Sequence, residues 1–110
     1  MRNKKNYLDF IPAKMEHVEL IQKDGEYVLQ IQNIGMANKI AQKLFKKPKI
    51  SYLTLDELGT FVWQNIDGKN SVYDIVVKMK EHFGEAAEPV YDRLVTYMRL
   101  LDNGCLVEMK

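Results

Sequence analysis

Two histidines, one cysteine and scattered carboxylates are what this chain offers for chemistry. His17 falls in a β-prone run and His82 near the end of a helical run. No H-x-x-x-H or H-E-x-x-H pairing sets two imidazoles on one helix face, and Cys105 has no second thiol beside it. A metal site is therefore not expected, and neither is an intramolecular disulfide. Cys105 carries no local reactive signature and reads as a packed thiol. Ser51 and Ser71 lack a nucleophile elbow, and Ser71 reads as a helix cap. Asp56 and Glu57 sit at a helix start, where the macrodipole favours carboxylates. Asp24-Gly25 and Asp67-Gly68 are turn signals, and no glycine-rich phosphate loop occurs. With no group converging on a reacting centre, no catalytic residue and no cofactor are expected, and the chain reads as a non-enzyme.

The elements that must position these residues come from a chain of 110 residues, 46% hydrophobic and 28% charged. That is ordinary for one globular domain and leaves no room for separate cofactor and substrate domains. The net charge of +1 predicts neither a nucleic-acid nor a membrane partner. No apolar region follows Met1-Arg2-Asn3-Lys4-Lys5, and no apolar run nears the roughly 18–20 residues that span a bilayer. The cytoplasm is the expected compartment. The charge is uneven: residues 1–54 hold 10 basic and 5 acidic side chains, and residues 55–110 hold 6 and 10. Residues 33–49 contain Lys39, Lys43, Lys46, Lys47 and Lys49 and no acid.

Residues 1–14 read as a leader into the fold, frayed at its start. His17–Gln22 and Tyr27–Gln32 read as strands joined through Asp24-Gly25, the pair a tight type I′ turn demands. From Gly35 to Lys47 the period becomes helical. Met36, Ala37, Ile40, Ala41, Leu44 and Phe45 share one side, and the lysines share the other. Pro48 stops this basic helix, and Ile50–Leu53 reads as a third strand. Three helices follow. Thr54 and Glu57 have capping-box spacing, with Leu55, Leu58, Phe61, Val62, Trp63 and Ile66 as the first stripe and Asp67-Gly68 as its end. Ser71 with Asp74 caps the second helix, whose stripe runs Val72, Ile75, Val76, Met79 and Phe83 to a stop at Gly84. Pro89 suits the first turn of the third. Val90, Leu94, Met98 and Leu101 form its core stripe, Gly104 ends it, and Cys105–Val107 adds a short terminal strand.

Two features leave alternatives open. The basic helix either packs on the body with solvated lysines or attracts an acidic peptide or protein. On the last helix, Tyr91 and Val95 flank the core stripe on one side, and Tyr97 and Leu100 on the other. This apolar zone is wider than the stripe of a little over about 100° typical of a surface helix. Either both flanks are covered, or one forms a groove for a peptide that adds as a strand to the free edge of Lys49–Leu53. The element order is α+β, with strands and helices segregated, and is similar to a winged helix-turn-helix. The helices carry no convincing basic footprint for DNA.

From Leu55 to Gly68 the sequence reads LDELGTFVWQNIDG, continued by Ser71-Val72-Tyr73-Asp74-Ile75. This resembles the PqqD family, whose helical region reads roughly L-N-x-x-G-x-x-I-W-x-L-L-D-G-x-x-T-V-x-E-I. Gly59, Trp63, Asp67, Gly68, Val72 and Ile75 match position by position, and Leu100–Val107 fits the family's tail. Physically, Gly59, Trp63, Asp67 and Gly68 read as fold determinants: a close helix approach, a core anchor and a turn. The resemblance implies one PqqD-like domain over 1–110, with the hairpin, inserted helix and third strand in 15–54 and the three helices in 55–110. It implies a three-stranded antiparallel sheet followed by three helices, the basic helix being an insertion where the family usually has a short loop. That insertion supplies charge for an acidic leader, rebuilds the groove or blocks it.

The function implied is that of a RiPP recognition element. Such a domain is a non-catalytic peptide chaperone that holds the leader of a ribosomally made precursor and presents it to a modifying enzyme, often a radical SAM enzyme. On this sequence the implied peptide-binding residues are Lys49, Ile50, Ser51, Tyr52 and Leu53 on the strand, with Tyr91, Leu94, Val95 and Met98 on the last helix. Lys39, Lys43, Lys46 and Lys47 are the candidate electrostatic contacts. A winged-helix DNA-binding regulator and a protein-interaction domain of the same fold are the alternatives. An open strand edge also makes a homodimer conceivable.

Overall fold

The computed structural model describes residues 7–33 and 49–110. The expected basic helix, with Lys39, Lys43, Lys46 and Lys47, lies outside the described residues. The described residues form five strands and three helices in chain order: β1 (Pro12–Lys14), β2 (Val18–Lys23), β3 (Glu26–Gln32), β4 (Ile50–Leu55), α1 (Glu57–Gln64), α2 (Val72–Phe83), α3 (Val90–Asn103) and β5 (Val107–Met109). Short 3-10 turns lie at Tyr7–Asp9 and Gly84–Ala87. The architecture is α+β with antiparallel strands.

β2, β3 and β4 form one antiparallel sheet in that order. Asp24 and Gly25 both have positive φ, 54° and 83°, as the two central positions of a type I′ turn require. Lys23 pairs with Glu26 across that turn, and this sets the register of the whole sheet. Leu20, Leu29 and Leu53 then stand side by side on its inner face. Leu29 is fully buried there. A one-residue slip would turn this row to solvent, so the apolar alternation and the turn enforce the same register.

The helices close over that face. Trp63 from α1, Ile66 just past its end, Ile75 and Met79 from α2, and Leu94, Met98 and Leu101 from α3 meet in one core with Leu29 and Leu55. Every residue expected in the core stripe of α3, Val90, Leu94, Met98 and Leu101, is buried. Trp63 anchors the cluster as expected, at 2% exposure.

Several boundaries differ from the sequence reading. The terminal strand, expected at Cys105–Val107, begins only at Val107 and runs to Met109, because Cys105 takes a positive φ of 62° in the turn after α3. Thr54 was expected to cap α1, but β4 runs on through Leu55 and holds Thr54 in the strand. The cap therefore falls to Asp56, whose Oδ1 accepts from the Gly59 amide at 2.7 Å. α1 ends at Gln64, before Asp67-Gly68. The Asp67 carboxylate instead accepts from the Lys69 and Asn70 amides and shapes the link to α2. Pro89 takes the N-cap of α3 and stands just outside the first turn. The Ser71–Asp74 capping box is present in both directions, and Gly84 and Gly104 cap α2 and α3 as expected.

The start of the expected leader, residues 1–6, lies outside the described residues. From Phe10 onward the leader is tied into the fold. β1 pairs with β5 antiparallel, Pro12 opposite Met109. The Val72 amide donates to the Phe10 carbonyl at 2.9 Å, and the Gly68 amide to the Pro12 carbonyl at 3.2 Å. Gly68 has φ 78°, and that left-handed turn aims its N–H at β1. No helix among the described residues is long and apolar enough to cross a membrane.

Candidate functional site

β4 is the edge of its sheet, paired to β3 alone among the described residues. Antiparallel strands alternate which residues point their backbone groups at the neighbour. The Asn33 amide donates to the Lys49 carbonyl at 2.7 Å, which fixes that alternation. Ser51, Leu53 and Leu55 therefore bond inward to β3. Ile50, Tyr52 and Thr54 present their N–H and C=O groups to the open edge. Side chains follow the same period. Leu55 is buried and Leu53 half-buried, whereas Ile50 and Tyr52 are exposed at 43% and 47%. Ser51 faces inward and its Oγ accepts from Asn33 Nδ2 at 2.7 Å. The Lys23 ammonium lies 3.7 Å from the Tyr52 ring centroid and holds that ring against the outer face of the sheet.

α3 is the second wall. Met98 has no exposed surface and Leu94 only 1%, so both expected contacts are core residues; a peptide cannot reach Met98 without opening the helix packing. Leu94 forms the floor of a small cavity of about 110 Å³ between α1 and α3, with Leu58, Arg93 and Tyr97 around it. Tyr91 is exposed and Val95 half-buried on one flank. Further along that flank the helix carries Arg99, whose guanidinium sits 5.8 Å from the Tyr7 ring. The N-terminal turn thus occupies part of that side. The other flank carries a surface depression of about 460 Å³ along Arg93, Thr96, Tyr97 and Leu100. Leu100 is 52% exposed there.

This second flank is the one joined to β4. Tyr97 donates its hydroxyl proton to the Gly59 carbonyl at 3.1 Å. Gly59 in turn donates its amide to Asp56, one residue beyond Leu55 at the end of β4. A Cβ on Gly59 would lie 3.3 Å from the Tyr97 hydroxyl, so the missing side chain is what lets α3 come this close. Burial, with the Asp56 charge beside it, pushes the Tyr97 hydroxyl well above its ordinary pKa and keeps it a donor. Arg93 and Tyr97 were not among the expected contacts. Their i, i+4 spacing with Leu100 three residues on was visible in the sequence, but which flank stayed open was not.

Together these features define a small α+β domain with a strand edge open among the described residues and a helix flank tied to the end of that strand through α1. A model of the family described as coenzyme PQQ synthesis protein D (PqqD) matches residues 44–107. The chain belongs to that family. The match spans β4, all three helices and the start of β5, and so covers both walls of the site. No curated protein and no solved structure gives a significant match.

Proposed function

We propose that this domain is a non-catalytic peptide chaperone. It captures an extended segment of a ribosomally made precursor peptide along β4 and presents it to a modifying enzyme, of which a radical SAM enzyme is the expected class. The observation that carries the reading is the row of backbone groups at Ile50, Tyr52 and Thr54, unpaired among the described residues, on an edge strand in a chain of the PqqD family. Backbone bonds to such an edge give affinity without dictating sequence, and pockets for alternate side chains give selectivity. On the strand the reading keeps Lys49–Leu53, with Ile50 and Tyr52 as the outward-facing members. On the helix the reading moves to Arg93, Tyr97 and Leu100. An apolar side chain would enter the cavity over Leu94, and an acidic one would meet Arg93. Holding substrate near the enzyme raises its effective concentration and requires no chemistry from the chaperone. The winged helix-turn-helix-like layout and a cytoplasmic location belong to this reading.

The test is a heteronuclear NMR titration with the leader of a short open reading frame encoded beside this gene. Shifts should cluster at 49–55 and along the Arg93–Leu100 flank. Tyr52→Pro removes an edge N–H at a position where an edge strand tolerates proline. It should weaken binding by about tenfold or more, one lost hydrogen bond with its desolvation, with the melting temperature nearly unchanged. Tyr52→Ala separates the side chain's share. If Tyr52→Pro binds as tightly as the parent, strand addition at β4 is wrong.

A further inference from the structure

α1 divides two cavities. Leu58, Gly59 and Val62 face the one described above. Glu57, Thr60, Phe61 and Gln64 lie on the opposite stripe and line a larger cleft of about 410 Å³, closed by the β2–β3 turn and the C-terminal end of α2. Its walls are aromatic. His82 lies flat on Phe61, with centroids 4.6 Å apart and planes 17° apart, and Phe83 meets both rings edge-on. Tyr27, 41% exposed, stands across from them. Its rim is acidic. Glu26 comes from the start of β3 beside the turn and Glu57 from the start of α1, and among the described residues neither side chain makes a hydrogen bond or ion pair. Asp56 adds a third carboxylate. Among the described residues no lysine or arginine lines the cleft.

We infer that this cleft is a docking site for an arginine side chain of a partner protein, separate from the β4 edge. Aromatic faces attract a flat cation through their quadrupole, and carboxylates accept from a guanidinium in its own plane. The cleft offers both within one volume. The C-terminal end of α2 adds the negative pole of its dipole. An ammonium would satisfy the carboxylates but could not stack. The occupant is protein-borne because Gly25, Glu26, Glu57 and Gln64 leave the cleft open to solvent, whereas a free small molecule is usually bound in a site that buries most of its surface. Since α1 stands between the two cavities, a peptide on β4 and an arginine in the cleft can be held together. This inference does not depend on what occupies β4.

The probe is N-acetyl-arginine methylamide, titrated into the full chain by NMR. Binding on the order of millimolar is expected, with shifts confined to the amides and rings of Tyr27, Glu57, Phe61, His82 and Phe83. The uncharged citrulline analogue should produce none, and the lysine analogue should bind about tenfold more weakly. The double variant Glu26→Gln, Glu57→Gln changes only exposed side chains and should weaken binding by about tenfold. Tyr27→Ala tests the ring independently. Equal shifts with citrulline, an unchanged affinity in the double variant, or shifts spread over every acidic patch would overturn the inference. Tighter binding of free arginine than of the capped amide would reassign the cleft to a small molecule and overturn the protein partner.

Discussion

The Tyr97 hydroxyl donates to the Gly59 carbonyl across 38 residues of chain, and so ties the middle of α3 to the first turn of α1. The bond is half-buried and fixes the spacing of the two helices beside the end of β4.

Tyr97→Phe removes that bond and little else. It should cost about 1 kcal/mol, the net worth of one such bond plus the carbonyl left without its donor, read from chemical denaturation. The same variant changes the alkaline limb. The folded protein keeps the Tyr97 proton above pH 10, where the unfolded chain loses it. The folded state then binds more protons, so stability falls as pH rises above 10. The phenylalanine variant should show a flatter decline.

Gly59→Ala sets two effects against each other. Alanine is favoured over glycine in a helix by about 1 kcal/mol. Its Cβ, however, would lie 3.1 Å from Asp56 Oδ1 and 3.3 Å from the Tyr97 hydroxyl. Both oxygens are held by hydrogen bonds to Gly59 itself, so neither can move without loss. A net destabilisation is expected in thermal melts, with amide shifts at Asp56 and Tyr97. A more stable variant would show that the two helices separate freely.

Asp56→Ala removes the N-cap of α1 and should cost about 1 kcal/mol, within a usual range of about 0.5–2. Ser71→Ala should cost about as much at α2, where Asp74 loses half of its capping box. Thr54→Val, at the position expected to cap, should be nearly neutral because that residue lies exposed in the strand. Paired denaturation curves decide the order.

Burial holds His17 below its ordinary pKa of 6.5, and its Nε2 is buried with no hydrogen-bond partner among the described residues. The unfolded chain therefore takes up a proton first as the pH falls. Stability should drop from about pH 6.5 downward until the folded histidine also protonates. Asp67 acts lower. Amide donors from Asn70 and Lys69 hold its carboxyl below the usual 3.8, so its contribution disappears only in stronger acid. His17→Leu should remove the first decline and leave the second, which denaturation midpoints across pH can separate.

Much of the fold was legible because its signals are local. The Asp24-Gly25 turn, the Ser71–Asp74 box, the core stripe of α3 and the anchoring Trp63 each depend on a few neighbouring residues. The misses are tertiary. β1 is three residues long, and only β5, nearly a hundred positions away, makes it a strand. Asp56 became the cap because β4 continued to Leu55, a length set by pairing with Tyr27. The strand half of the candidate site was readable from alternation. On the helix side, the width of the apolar zone was readable, but the choice of flank was not. It depends on Tyr7 approaching Arg99 and Tyr97 reaching Gly59, contacts with no trace in local spacing.

The β1–β5 pairing also has a temporal consequence. A growing chain emerges N-terminal end first, so Pro12–Lys14 waits unpaired while the hairpin and all three helices are made. Its partner exists only once Met109 is available. The hairpin can form early from contacts close in sequence, whereas this two-stranded clasp has the longest loop to close. It should be the last part to lock during synthesis and, by the same reasoning, the first to open in hydrogen exchange.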